Sequence, residues 1–212
     1  PSLAATAGQI QTEELGLRGF ARLRTGPVSH ELSYAYFDID RRDTSPGAFT
    51  PRFTGERDEI SYLGSVEVGR AGTVTGGLEY TEERFAAQPT RGSNDNLAVT
   101  AEWLLPASDT LDISLALRHD EDGDFGGKLT GRAAAVWRPA EGWALRAVAG
   151  TGFRAPSLFE RFSAFGDPTL KPEDSESFEI GVRGEYADGF WSLNAYHASY
   201  DTGSEYKAVH YG

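Results

Sequence analysis

The sequence predicts an all-β fold, an antiparallel transmembrane β-barrel of which about ten up-and-down strands are present, and three observations predict it. Apolar and polar residues alternate with a period of two over segment after segment. The connections between segments alternate short and long, as expected when tight turns lie on one side of a bilayer and extended loops on the other. The aromatic residues are sorted by strand end, with tryptophan near the short turns.

The segments justify this in order. Leu15, Leu17, Gly19, Ala21 and Leu23 share one face, and Arg18, Phe20, Arg22 and Arg24 share the other. After the turn Gly26-Pro27 a strand runs up to a long connection from Arg41 to Asp58. Ile60, Tyr62, Gly64, Val66 and Val68 then oppose Glu59, Ser61, Ser65 and Glu67. The short Gly69–Gly72 leads to Val74, Gly76, Leu78 and Tyr80 against Thr73, Thr75, Glu79 and Thr81. A second long connection is expected from Phe85 to Ser93. Leu97, Val99, Ala101 and Trp103 follow, a turn at Pro106–Asp109, then Leu111, Ile113, Leu115 and Leu117. Glu121 to Lys128 reads as a third long connection. Leu129, Ala133, Ala135 and Trp137 end at the turn Pro139–Gly142. The longest connection runs from Arg154 to Glu176, and the last pair, Phe178–Tyr186 and Trp191–Ala195, closes at Ala187–Gly189.

A soluble β-sandwich or adhesin-like binding module shows the same periodicity. Two features favour the membrane. The segments run close to the 9–11 residues of a tilted spanning strand rather than about five or six. Trp103, Trp137, Trp143 and Trp191 lie by short turns and Tyr36, Tyr62 and Tyr80 towards the long loops, as interfacial aromatic belts require. Glu67, Glu79, Glu102, Asp112, Arg118, Arg132, Arg146, Glu179, Arg183 and Glu185 on the opposite face suit a hydrated, cross-paired interior.

Composition sets further bounds. The 212 residues carry a formal net charge of −12 and no cysteine or methionine. Disulfides and thiolate chemistry are excluded, and the acidic balance argues against nucleic acid as a partner. The start at Pro1 reads as a processed or excised segment. There is no P-loop, nucleophile elbow or helical HExxH, so no enzyme and no cofactor are expected.

From Gly150 the chain reads GTGFRAPSLFERFSAFGDPTLKPEDSESFEIGVRGEY. This resembles the barrel of TonB-dependent outer-membrane receptors, nearest to the cobalamin and siderophore branches. In that family a strand ending GTGFRAP is followed by a long loop, then NPxLKPE, then a strand with SxxxExG. Gly152, Phe153, Arg154, Ala155 and Pro156 match, as do Pro168, Leu170, Lys171, Pro172, Glu173, Ser175, Glu179 and Gly181, while Asp167 stands where the family usually has Asn. Arg132–Pro139 with Glu141-Gly142-Trp143 is similar to the family's preceding hairpin. The resemblance implies part of a 22-stranded barrel in the outer membrane of a Gram-negative bacterium, in contact with its lipid. It implies uptake of a siderophore-type metal chelate or a cobalamin-like molecule, energised by the TonB complex through a plug and TonB box that lie outside residues 1–212. The C-terminal strands are likewise expected outside, and the tail after Asp201 does not read as a strand. A simple outer-membrane porin or an outer-membrane enzyme is the alternative within barrels.

Candidate ligand-facing residues are Phe159, Arg161, Phe162 and Phe165, in the loop after the matched Arg154. The plainer reading is a self-packed loop whose phenylalanines form its own small core, with Pro156, Pro168 and Pro172 setting its course. Phe49, Phe53, Phe85 and Phe125 are candidates for a wider aromatic rim. Asp120, Asp122 and Asp124 have a DxDxD spacing, but Phe125 and Gly131 occupy the positions where an EF-hand needs glycine and glutamate. Looser Ca²⁺ binding in an outer loop stays open beside a solvated loop tip. Histidines 30, 119, 197 and 210 have no paired zinc spacing.

Overall fold

Ten antiparallel strands in sequence order form one sheet in the computed structural model, which describes residues 8–45 and 52–202. They are β1 (Ile10–Thr25), β2 (Val28–Asp43), β3 (Arg52–Glu67), β4 (Thr73–Ala87), β5 (Thr90–Ser108), β6 (Leu111–Asp122), β7 (Gly126–Trp137), β8 (Trp143–Arg154), β9 (Glu173–Tyr186) and β10 (Gly189–Thr202). One short helix, α1 (Leu158–Phe162), lies between β8 and β9. Phe49, His210 and the tail from residue 203 lie outside the described residues.

Register decides what each face is. Cross-strand partners share a face, and the row Ala21, Leu32, Tyr62, Leu78, Val99, His119, Leu129 is continuous across β1–β7. Leu115, Ala133, Ala149, Phe178 and His197 continue the same face to β10. One residue along, Ser33, Ser61, Glu79, Ala98, Asp120 and Lys128 form a polar row. The apolar face is open: Leu117 is 58% exposed and Leu193 68%. Burying one such side chain is worth roughly 1.5–3 kcal/mol. No second sheet covers this face among the described residues, so the sandwich alternative has no structural support. Lipid is the medium that fits it.

The ends of the strands are finished by local chemistry. Gly26 adopts φ +58° in the two-residue β1–β2 turn, a conformation that glycine takes without steric cost. Trp103 donates from Nε1 to the carbonyl of Ala71 at 2.7 Å, tying β5 to the β3–β4 turn. Trp143, Gly184 and Trp191 are register partners on β8, β9 and β10. The missing side chain at Gly184 lets the two indoles meet edge to face over it, with centroids 5.5 Å apart. At the outer end of the β2–β3 hairpin Arg52 grips Asp40 through Nε at 3.0 Å and Nη2 at 2.6 Å. With help from Arg42 it holds that carboxyl down at about 2.

Several expected boundaries are corrected. Phe85–Ser93 is not a long loop: β4 continues to Ala87, β5 starts at Thr90, and only Gln88-Pro89 turns. Glu121–Lys128 likewise reduces to Gly123–Phe125. Above the apolar band both sheet faces are wet, so the period-two signal disappears although the ladder continues. Strands of up to 19 residues result, longer than the bilayer alone requires. β5 also runs through Pro106 with a bulge to Ser108, which moves the turn to Asp109-Thr110. Tyr62 belongs to the short-turn half: its hydroxyl reaches His30 Nδ1 at 2.7 Å, below its own ring. The connection after Arg154 is long as expected, spanning residues 155–172.

The face assignment predicts that Leu117→Arg, near the middle of β6, costs about 2–4 kcal/mol in a lipid-embedded full-length barrel. Ser114→Arg, on the polar face, should cost clearly less. Urea unfolding in liposomes measures both, and equal losses would refute the assignment. In the same assay Gly184→Val should separate the Trp143 and Trp191 rings and lose on the order of 1 kcal/mol, while Gly19→Val, with open space around it, stays near neutral.

Candidate functional site

The polar face bears the site, at the level where strands leave the apolar band. β4 supplies Glu79, Thr81 and Glu83, β5 supplies Asn94 and Asn96, β6 supplies Arg118, Asp120 and Asp122, and β3 supplies Arg57. Ala155–Leu158, just after β8, roof this wall over a half-open pocket of about 300 Å³. The wall is tightly bonded. Arg118 reaches Glu79 and Asp120 at 2.8 Å each, and Arg57 reaches Glu59 at 2.9 Å and Glu83 at 3.1 Å. Asn96 donates to Asp120 at 2.8 Å and Asn94 to Asp122 at 3.0 Å.

The roof is a docked strap, and its docking is written in three places. The first is apolar: Phe85, Ala87 and Leu158 are buried together, with Phe53 and Phe162 against them. Phe159 packs edge-on to Phe53 at 5.1 Å and to Phe85 at 5.9 Å. The second is ionic: Arg161 pairs with Asp124 of the β6–β7 turn, and its guanidinium lies 4.9 Å from the Phe125 ring centroid and 4.8 Å from that of Phe162. The third is a matter of space. A Cβ at Gly92 would stand 2.4 Å from the Phe162 ring, so only glycine on β5 admits this approach.

Local signals shape the strap. Ser157 caps α1 in a capping box with Glu160: the Glu160 backbone N–H donates to the Ser157 hydroxyl, and the Glu160 carboxylate accepts from the Ser157 N–H at 2.8 Å. Arg154 Nη2 adds a 2.6 Å bond to Glu160, and this cation, followed by the Ser157 bonds, holds the Glu160 carboxyl below the ordinary glutamate range. Asp167 accepts from the Thr169 N–H and hydroxyl, which bends the chain towards the Leu170–Glu173 run.

The candidate residues fall into three groups. Arg154 and Glu173 end β8 and β9 as register partners; Phe153 and Ala155 through Leu158 line the pocket. Pro168, Leu170, Lys171 and Pro172 form the return limb and do not line it. Phe159 and Phe162 hold the strap to strand residues and Arg161 holds it to the β6–β7 turn, which corrects the idea that the loop packs on itself; Phe165 is 76% exposed. Asp120, Asp122 and Asp124 are not brought to one point. Arg118 with Asn96, Asn94 with the Asp124 and Phe125 N–H groups, and Arg161 take them separately. Among the described residues no group of three or more His, Asp or Glu is placed to hold a metal ion. The roles of Gly92, Asn94 and Asn96 are not legible in the sequence, because nothing local marks a glycine as a docking floor or an asparagine as a wall.

This geometry has counterparts among known proteins. The family model for the TonB-dependent receptor-like β-barrel matches residues 10–202. The vitamin B12 transporter BtuB of Photobacterium profundum is 29% identical over 203 residues, covering 94% of this chain and 34% of that protein. BtuB of Vibrio cholerae serotype O1 is 26% identical over 151 residues, covering 66% and 23%. Among solved structures, the siderophore receptor PirA from Pseudomonas aeruginosa superposes with a TM-score of 0.78 at 15% identity, over 91% of this chain and 39% of that one. The ferric enterobactin receptor PfeA from the same organism gives 0.73 at 14%, over 91% and 35%. The chain thus spans about a third or less of the curated relatives it matches.

Two outcomes follow for the strap. Arg161→Ala and Gly92→Val should each raise the rate of proteolysis within residues 155–172 on the order of tenfold or more, the equivalent of about 1.4 kcal/mol of docking, with the barrel's heat-modifiable gel shift unchanged. Acid should act through Glu160. Its folded value is depressed, so its contribution is complete above the ordinary glutamate range of about 4.3 and is lost as pH falls below it. Amide exchange at 157–163, corrected for intrinsic rates, should stay flat from pH 7 to about 5 and rise towards about 3. No rise in Glu160→Gln relative to its own neutral value would agree; an equal rise there would refute the assignment.

Proposed function

Because the chain belongs to the TonB-dependent receptor-like β-barrel family, we propose that it is part of an outer-membrane receptor that takes up a metal chelate of the siderophore type or a cobalamin-like molecule, energised by TonB. The ten strands form a consecutive arc of a larger closed barrel, for which the family fold of 22 strands is the expected size. The apolar face meets outer-membrane lipid of a Gram-negative bacterium, and the polar face lines the lumen.

The observation that carries this reading is the docked strap. A polypeptide crosses from β8 to the inner wall of β4 and β5, where it roofs a polar pocket with Ala155–Leu158. A diffusion pore needs an open lumen, whereas a receptor needs an enclosed surface that touches its cargo. Phe153, Arg154, Ala155 and Pro156 start the strap, and Pro168, Leu170, Lys171, Pro172 and Glu173 return it to β9. We assign these a routing role, and place Phe165 with the pocket roof as ligand-facing. The BtuB relatives and the siderophore receptor neighbours make corrinoids and ferric chelates the first ligands to try.

The test is ligand binding by the full-length parent protein. Replacing residues 156–172 by a short glycine linker should abolish high-affinity binding of cobalamin or ferric chelates while the protein still sediments with outer membranes and still shifts on boiling. Binding that survives the deletion would refute the strap as the receptor surface.

A further inference from the structure

The pocket wall is unbalanced in charge. On the inner face Glu79, Glu83, Asp120 and Asp122 line it against Arg57 and Arg118, leaving two negative charges in excess. Both cations are spent within the wall: Arg57 bridges Glu59 and Glu83, and Arg118 bridges Glu79 and Asp120. Asp122 is met by neutral donors alone, the Asn94 amide and the N–H groups of Asp124 and Phe125. Among the described residues the nearest further cations are paired, Arg161 with Asp124, although its buried Nε finds no acceptor, and Arg154 with Glu160 and Glu173.

Hydrogen-bonding capacity is skewed the same way. An ionised carboxylate only accepts, so Asn94 and Asn96 must turn their NH₂ groups to Asp122 and Asp120. That orientation leaves both Oδ1 atoms without a donor but closed to solvent, so the acceptors that cargo can reach are the carboxylates. Among the described residues the wall therefore has a surplus of acceptors, and both of its guanidiniums are paired within it. An anionic chelate entering here would lose its hydration against carboxylates with no cation to replace the water.

We infer that this pocket selects neutral or cationic, donor-rich cargo, such as a chelate or corrinoid bearing amide N–H, hydroxyl or ammonium groups, and rejects polyanionic complexes. This inference rests on the uptake reading above. It also separates the chain from its fold neighbours, since a shared barrel at 14–15% identity does not carry over a neighbour's ligand.

The absence of cysteine in the chain makes the field directly measurable. In the full-length parent, cleared of any other accessible thiol, Ala155→Cys places a single reporter on the roof. Its modification rates with a cationic trimethylammonium-ethyl and an anionic sulfonatoethyl methanethiosulfonate are each divided by the rate with a free thiol in solution. The corrected ratio should favour the cation on the order of tenfold at low salt and shrink at about 0.5 M salt, where the screening length falls to a few ångströms. Adding Asp122→Asn and Glu83→Gln should bring it towards unity. A ratio near one, a preference for the anion, or no response to these substitutions would overturn the inference. A second arm measures binding of cobalamin, a ferric trihydroxamate with one free ammonium group, and a ferric tris-catecholate of charge 3−. Tightest binding of the tris-catecholate overturns the inference. A cation-selective thiol with no binding of any chelate leaves the field established and removes the uptake reading instead.

Discussion

Pairing of every backbone N–H and C=O across the apolar band is the constraint on which the rest of this structure depends. Lipid offers no substitute partner, and each unsatisfied group costs several kcal/mol. The irregularities of the sheet are placed accordingly. The bulge between Pro106 and Ser108 lies beside a turn, where a proline without an N–H interrupts little. β7 and β8 part above Arg132 and Gly150, and there the Thr151 hydroxyl accepts the Gly131 N–H at 3.0 Å, replacing the lost carbonyl. Lys128 spans the same gap by reaching Asp174 of β9 at 2.6 Å. Once pairing is met, side chains on the two faces are free to obey different solvents.

That division explains what the sequence reveals and what it hides. Alternation is imposed wherever one face meets lipid, so the spacing of Leu111, Ile113, Leu115 and Leu117 is enough to assign them to one face. The rule stops at the edge of the bilayer. Arg84, Phe85, Ala86 and Ala87 pair with Ser93, Gly92, Arg91 and Thr90 in a regular ladder, yet their side chains show no period, and they read as loop. The Trp residues are legible because indole favours headgroup depth irrespective of tertiary contacts. Tyr62 is not, because its hydroxyl swings over Gly64 to His30, and ring direction cannot be read from position along the strand.

The strap is half legible for a similar reason. Ser157 and Glu160 form a capping box, and Arg154 with Glu173 closes two strand ends; these contacts are local or come from the resemblance. What the strap docks against is remote. Gly92, Phe85 and Phe53 come from two other hairpins, and Asp124 from a third. Their convergence is a product of the sheet's register, since Gly55 lies opposite Phe85 and Phe85 opposite Gly92 on one row of the inner face. Gly92 beside Phe85 makes the shallow bed into which Phe162 settles, with Leu158 buried against Phe85, while the space at Gly55 is filled by Ile39. An aromatic count over the loop suggests a cluster without saying which wall receives it.

The two faces differ in how freely their side chains can diverge. The lipid face is interchangeable among apolar residues, so it diverges in sequence without changing shape, and structures at 14–15% identity still superpose over 91% of this chain. The inner face has no such freedom at the pocket. Arg118 is held between Glu79 from β4 and Asp120 from its own strand, so losing Arg118 would leave two carboxylates together in a partly enclosed site, whereas losing either acid leaves the other to balance the cation. Glu79 and Asp120 are therefore coupled through the cation they share, and a change at Arg118 is the one that requires its neighbours on β4 and β6 to change with it. A difference in cargo between barrels of this shape should accordingly appear as a concerted change along these strands, with the strap's apolar anchors left in place.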